Sequence, residues 1–291
     1  MSHWFSSSDL PDLTGAFVDE GFLQLVELLN CGSFAKVYKA LDTTSPLDDP
    51  AFYAVKCMRN APYDSDRWYD LQNEFSLHDA VSDLPGVVSF RRTFTDGELV
   101  FMVLDLVPHT MLHCIVSRAV YVDRPMLAKD AFFELLDVVD QCHRNGVYHC
   151  DIKPANILCN ADGLGIRLAD FGMATREEHL RDFGCGTEPY MAPECVSRSR
   201  GSHSARAVDL WALAMTLFNL VTGTVPWSVA ALSDPRYAAF RADPDAYLRD
   251  TYHLSPAASD LFRWCFDADP AARPSVEQTR AAVLDIDQFS L

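Results

Sequence analysis

The chain lacks any run of about 18 uninterrupted apolar residues, the length a membrane-spanning helix requires. The segment Leu99 to Val107 is broken at Asp105, and Val208 to Val221 carries Asp209 and Asn219. Cys-x-x-Cys pairs are also missing. The nine cysteines are odd in number and irregularly spaced, which excludes a disulfide framework and zinc-ligand spacing and fits a reducing compartment. Positive charge is scarce: 24 Lys and Arg stand against 41 Asp and Glu, for a net charge of −17. Phosphate contacts need clustered cations, so neither a nucleic-acid partner nor a membrane surface is expected. Met1 to Leu13 has no basic start followed by an apolar core, so no secretory signal is expected. These absences lead to the expectation of a soluble, intracellular protein, cytoplasmic or nuclear or both, with a monomer as the default oligomeric state.

What is present suffices for a large core: 291 residues, 49% of them hydrophobic. Phe22 to Leu29, Lys36 to Leu41, Ala51 to Met58, Val87 to Phe94 and Glu98 to Leu106 have strand composition. Asp64 to Val81 has roughly helical spacing. The pattern predicts an antiparallel sheet of about five strands with one embedded helix. After Pro108 the character changes, and Pro125 to Asn145, Ala205 to Thr222, Pro256 to Phe266 and Pro274 to Ile286 carry helical periodicity, with proline near several starts. The fold class is therefore α+β, with an extension over 1–22, a folded region over 23–284 and a tail over 285–291. A sheet-rich lobe of about 23–106 would precede a helical lobe of about 108–284, and a cleft between lobes is the natural ligand site.

Leu29-Asn30-Cys31-Gly32-Ser33-Phe34-Ala35-Lys36-Val37 spans a strand–turn–strand, where small residues let backbone amides approach phosphates. Taken alone, Gly32 reads equally well as an ordinary hairpin residue. Lys56 lies inside the apolar run Tyr53-Ala54-Val55-Lys56, where an ammonium needs an anion to offset its burial. Glu74, on the predicted helix, can supply one carboxylate, although its position alone also fits a surface glutamate. Further on stand His149-Cys150-Asp151-Ile152-Lys153-Pro154-Ala155-Asn156-Ile157-Leu158 and then Asp170-Phe171-Gly172, Gly186-Thr187, Ala192-Pro193-Glu194, Asp209-Leu210-Trp211 and Arg273.

This ordered set, running from about Leu23 to Leu284, resembles the eukaryotic protein kinase superfamily. The resemblance implies a bilobal fold and transfer of the γ-phosphoryl group of ATP, with Mg²⁺, to hydroxyls of protein substrates. It implies that Asp151 orients the attacking hydroxyl, that Lys153 stabilises charge on the transferred group, and that Lys56, oriented by Glu74, contacts the α- and β-phosphates. Asn156 and Asp170 would hold Mg²⁺, and Thr187 would bridge Asp151 and Lys153. The nucleotide would meet Leu29, Asn30, Cys31, Gly32, Ser33, Phe34, Ala35, Lys36 and Val37, with adenine also packed by Ala54 and Leu158 and its edge bonded to the backbone at Asp105 and Val107. Glu194 should pair with Arg273, and Asp209 should hold the backbone of the catalytic loop.

Lys153 and Thr187 resemble serine/threonine rather than tyrosine kinases, so serine and threonine acceptors are expected. Aminoglycoside- and choline-kinase-like enzymes share parts of this set but generally lack the Gly186-Thr187 and Ala-Pro-Glu segment. Asn30 and Ala35 stand where the family usually has glycines, which leaves open a pseudokinase scaffold without phosphotransfer. Cys150 replaces an arginine that in many relatives receives an activation-loop phosphate. Met173 to Asp182 contains Thr175 but no serine or tyrosine, so activity without phosphorylation there is expected. Cys31 and Cys185 flank the two loops and are candidates for oxidation. His78 stands where the family often has leucine. Met111, Ala155 and Asn219 occupy positions where arginine-directed relatives often carry glutamates. Leu77-His78 with Gly146-Val147-Tyr148-His149 looks like fungal kinases regulating meiosis and nutrient response.

Overall fold

The computed structural model describes residues 10–180, 186–197 and 202–291. The chain divides into two compact units: one runs to Asp83 and takes up Val88–Val107, and the other combines Leu84–Val87 with the chain from Pro108 onward.

The first unit holds β1 (Phe17–Val18), β2 (Leu23–Cys31), β3 (Ala35–Asp42), β4 (Phe52–Arg59), α1 (Asp66–Val81), β5 (Phe90–Asp96) and β6 (Leu99–Asp105). The strands form one antiparallel sheet in the order β1-β2-β3-β4-β6-β5. Alternation along the strands sends Leu23, Leu25, Tyr38, Ala40, Val55, Cys57, Phe101 and Val103 to one face, where they make a buried cluster. Five strands were expected, and among the described residues the sheet has six. The added edge strand, β1, pairs Phe17 with Gln24 and Val18 with Leu23. Its two residues are too few for alternation to show, so part of the stretch 1–22 belongs to the sheet.

Helix α1 begins where the Ser65 side chain accepts the Trp68 amide. It buries Leu71, Glu74, Leu77, His78 and Val81, a stripe at helical spacing that includes one carboxylate. His78 sits on that stripe as a satisfied core histidine, its Nε2 2.7 Å from the Val88 carbonyl.

The second unit contains β7 (His109–Thr110), α2 (Met111–Val116), α3 (Pro125–Arg144), β8 (Ile157–Cys159), β9 (Arg167–Leu168), β10 (His179–Leu180), α4 (Pro193–Val196), β11 (His203–Ser204), α5 (Ala205–Thr222), α6 (Pro235–Ala242), α7 (Pro244–Tyr252), α8 (Pro256–Cys265) and α9 (Val276–Leu284). Helix α5 forms its centre. By length and composition it is apolar enough to cross a membrane, which no uninterrupted-run criterion revealed, but 78% of it is buried inside the protein. The Ser204 side chain caps its start, and Gly223, at φ 73°, ends it in the left-handed conformation. Trp211 on α5 packs against Phe266 and Trp227 at centroid distances of 5.1 and 5.9 Å.

Residues 285–291 are not a free tail. Ile286 and Phe289 are buried, the Ser255 amide donates to the Phe289 carbonyl, and the buried Lys129 ammonium donates to the Ile286 carbonyl.

Candidate active site

In β4, Val55 and Cys57 point into the core, so the two-residue period turns Lys56 to the opposite face. Its Nζ lies 2.5 Å from Glu74 Oε1, and the two side chains are only 14% and 8% exposed. Glu74 is thus the carboxylate that the buried ammonium required, and the surface-glutamate reading is excluded. Ala54, two residues before Lys56 and on the same strand face, is buried. Asp105 ends β6; its amide donates to the Ser89 carbonyl, and its carboxylate accepts two bonds from Arg91 at 2.7 and 2.9 Å. Val107 follows in the partly exposed segment after that strand.

The β2–β3 hairpin pairs Asn30 with Val37 and Cys31 with Lys36, and the Gly32 amide closes the turn on the Ala35 carbonyl at 2.9 Å. A Cβ at Gly32 would meet nothing closer than that carbonyl, at 3.7 Å, and its φ is not left-handed. The turn itself therefore does not demand glycine, and the missing side chain leaves room for close approach by a ligand. Leu29, Asn30, Cys31, Gly32, Ser33 and Phe34 are exposed, Ala35 is buried, and Val37 is half-buried.

Lys36 departs from expectation. It shares a strand face with Tyr38, and its Nζ donates to the carbonyls of Leu10 at 2.7 Å and Pro11 at 3.4 Å. Its charge is spent on the N-terminal segment, so its side chain is not a nucleotide ligand.

In the second unit the loop from Val147 to Asn156 is held from below by Asp209, which is fully buried. Its Oδ2 accepts the His149 amide at 2.9 Å, and its Oδ1 accepts the Cys150 amide at 2.8 Å. His143 Nε2 lies 2.8 Å from the same Oδ2, and Arg206 Nη1 lies 3.3 Å from His143 Nδ1. Neither His143 nor Arg206 was singled out from sequence. His143 precedes His149 on the helix leading into the loop, and that proximity was the available signal. The His149 ring accepts the Asp151 amide at Nδ1 (3.3 Å), donates from Nε2 to the Ala169 carbonyl (3.0 Å) and meets Phe171 edge-on at 4.9 Å. It thereby joins the Asp151 loop to the Asp170 loop.

Three donors converge on the Asp151 carboxylate. Thr187 Oγ1 donates to Oδ1 at 2.8 Å, while Lys153 Nζ at 2.6 Å and Asn156 Nδ2 at 2.9 Å donate to Oδ2. Lys153 Nζ also donates to Thr187 Oγ1 at 2.5 Å, so the threonine hydroxyl bridges the pair. Gly186, at φ 108°, makes this approach possible: a Cβ there would lie 3.1 Å from Met191 Cγ and 3.3 Å from the Cys150 carbonyl. Leu158 lies on β8, half-buried.

Asn156 spends its amide hydrogens on the Asp151 carboxylate and on the Asp151 carbonyl, the latter at 2.9 Å. Its Oδ1 is then the atom left to face a cation. Asp170 is exposed, on a left-handed residue at φ 63°. No group of three or more His, Cys, Asp or Glu that could hold a metal occurs among the described residues. Asn156 and Asp170 offer oxygen donors, the type a hard cation takes, and such a cation would draw its remaining ligands from phosphates and water.

The family model of the protein kinase domain matches residues 23–283. The chain belongs to the protein kinase family. Among curated relatives it is 29% identical over 283 residues to the negative regulator of sexual conjugation and meiosis of Schizosaccharomyces pombe, covering 90% of this chain and 59% of that protein. It is 30% identical over 271 residues to the serine/threonine-protein kinase ksp1 of the same yeast, covering 90% and 56%. It is 29% identical over 258 residues to the inactive serine/threonine-protein kinase PLK5 of Mus musculus, covering 86% and 40%. The chain thus spans about half the length of these relatives, and the likeness to a fungal meiosis regulator read from a few residues holds along most of it.

Two kinase features remain. Arg273 meets Glu194 through two bonds of 2.7 Å. Beside the catalytic loop, the position of the usual phosphate-receiving arginine is apolar: Cys150 clusters with Tyr148 and Ala205, and Leu180 packs against them. Strand β10 pairs with β11, and Tyr148 and Thr175 exchange backbone hydrogen bonds of 2.9 Å. Cys31 is exposed, and burial pushes the Cys57 thiol up to about 11 and those of Cys142, Cys159 and Cys265 up to about 12. Cys185 lies outside the described residues.

Proposed function

We propose that the protein transfers the γ-phosphoryl group of ATP to serine and threonine hydroxyls of proteins. The observation that carries this reading is the convergence of Thr187, Lys153 and Asn156 on one carboxylate, Asp151. Three donors fix its rotamer and leave a lone pair for a substrate hydroxyl, which is positioning of the kind phosphoryl transfer needs. The first unit contributes Lys56, oriented by Glu74, as the cation for nucleotide phosphates. In the second unit Asn156 and Asp170 are the oxygens that would hold Mg²⁺, which when bound offsets phosphate charge. Phosphoamino-acid analysis of acceptor proteins incubated with labelled ATP tests this. Chelator-sensitive phosphoserine and phosphothreonine are expected, and label confined to tyrosine would contradict it.

Activity in this reading does not wait for phosphorylation of the segment after Asp170-Phe171-Gly172. Leu180 on Cys150 and Tyr148, and the ladder of β10 with β11, already tie that segment down by apolar packing and backbone bonds. The hydroxyl of Thr175 accepts the Glu177 amide at 3.0 Å, so it is committed to its own turn. Thr175→Ala is expected to keep kcat within about threefold, since losing one partly exposed hydrogen bond costs about 0.5–1.5 kcal/mol of local stability rather than a catalytic group. A fall to a few per cent of parental activity, with an unchanged melting temperature, would overturn this.

Substrate choice is expected not to centre on upstream arginine. Met111 is fully buried, and Asn219 is buried with its Oδ1 3.3 Å from Tyr190 Oη. An uncharged amide engaged by a tyrosine offers no anion to a guanidinium. Peptide arrays should show no dominant arginine two or three residues before the acceptor, and a dominant one would refute the inference.

A further inference from the structure

The stretch before β1 crosses the outer end of the β2–β3 hairpin and is bound there by several independent contacts. Leu10 is 4% exposed. The Asp12 carboxylate accepts the Thr14 amide and hydroxyl at 3.0 and 2.7 Å, a local turn that bends the chain. The Leu13 amide donates to Tyr38 Oη at 3.1 Å, Tyr38 Oη donates to the Pro11 carbonyl at 3.4 Å, and Tyr38 is fully buried. The Gly15 amide donates to the Leu25 carbonyl at 2.6 Å, which carries the segment into the edge of the sheet.

Lys36 completes this attachment. Its ammonium donates to the carbonyls of Leu10 and Pro11, and its backbone stands opposite Cys31 across the hairpin, next to the turn from Gly32 to Ala35. Hydrogen bonds from a charged donor are the stronger kind, so holding Lys36 holds one leg of the phosphate loop. The tip has its own tether, with the Arg67 guanidinium of α1 5.7 Å from the centre of the Phe34 ring.

We infer that Leu10 to Gly15 is a strap that fixes the base of the phosphate loop through Lys36, and that Lys36 is a positioning residue for ATP rather than a ligand of it. This rests on the ATP-using reading given above. The strap limits the excursions of Cys31 to Ala35, so the loop loses less conformational freedom when phosphates arrive, and the benefit falls on nucleotide affinity rather than on the chemical step. A partner or modification that lifts the segment would weaken ATP binding without touching Asp151, Lys153 or Asn156.

The test compares the parent with Lys36→Gln, Lys36→Arg and Leu10→Ser, the last acting from the strap side. Two readouts are needed: steady-state kinetics in ATP, and hydrogen exchange of the amides of residues 31–35. Lys36→Gln is expected to raise KM for ATP about tenfold, the weight of one charge-assisted hydrogen bond, and Leu10→Ser, which keeps the carbonyl but strips the buried side chain that seats the strap, to raise it in the same direction; both should leave kcat within about twofold and speed loop exchange. Lys36→Arg, which can still donate to both carbonyls, should restore most of both. Unchanged KM and unchanged exchange in both weakened variants would overturn the strap, as would a loss confined to kcat. If the parent transfers no phosphoryl group, the exchange data still decide the strap on their own: faster loop exchange in both variants supports it, and unchanged exchange rejects it.

Discussion

Asp151→Asn is expected to lower kcat for phosphoryl transfer by about 10²- to 10⁴-fold, the range associated with losing a positioned acceptor for a reacting proton. The side chain keeps its size, but one oxygen becomes an NH₂ group. The structure has three donors aimed at the carboxylate: Thr187 Oγ1 at Oδ1, and Lys153 Nζ and Asn156 Nδ2 at Oδ2. With the amide nitrogen toward Thr187, the face that would receive a substrate hydroxyl presents donors instead of lone pairs. With the nitrogen toward Lys153, two cationic or amide donors confront a third. The first orientation removes the acceptor and the second drives the side chain from its place by opposing donors, while Lys56, Glu74 and the phosphate loop stay intact, so KM for ATP should stay within about threefold, because uniform nucleotide binding is not what the substitution touches. Initial rates at saturating ATP, with a melting curve to confirm folding, check this. A variant with more than a tenth of parental kcat would place the acceptor elsewhere.

Arg273→Ala is expected to destabilise the protein by about 3–5 kcal/mol, the cost of stranding one member of a buried ion pair. The Arg273 side chain is 0% exposed and that of Glu194 10%. Its guanidinium also donates to the Ala207 carbonyl through Nη1 and to the Asp267 carbonyl through Nε, both at 3.0 Å, and it lies 4.8 Å from the centre of the Trp211 ring. Truncation leaves the Glu194 carboxylate without its partner, opens a space beside Trp211 and uncouples α4 from α5. Because α4 immediately follows Thr187 and Met191, activity should fall at temperatures where the variant is still largely folded. Denaturant titration measures the loss, and a change below about 1 kcal/mol would mean that the pair is as weak as an exposed one.

The catalytic set was legible because it is written in short spacings. Asp151, Lys153 and Asn156 lie on one loop, and the donors that fix Asp151 include the Thr187 hydroxyl anticipated from its place before Ala-Pro-Glu. Glu74 was legible only through the family resemblance, because its position alone also fits a surface glutamate; the buried stripe of α1 is what the fold adds. The role of Lys36 was not. A lysine beside a phosphate loop reads as a nucleotide ligand, and its true acceptors are backbone carbonyls 26 and 25 residues away, which no side-chain pattern announces.

The same reason hid β1, a strand of two residues. Helices α2, α6 and α7 are shorter than three turns, so their apolar faces are brief, although Asp234 and Asp243, each capping a helix that opens on proline, were available signals. His143 looked like one more residue of α3; only the fold carries it to Asp209.

The central claim is tested most directly by incubating the parent protein with γ-labelled ATP and Mg²⁺ and with generic protein acceptors, while nucleotide-dependent thermal shift is followed in parallel. The account predicts label on serine and threonine together with stabilisation by nucleotide. Stabilisation by nucleotide with no label above background, across several acceptors and in the protein itself, would contradict it and identify a pseudokinase scaffold.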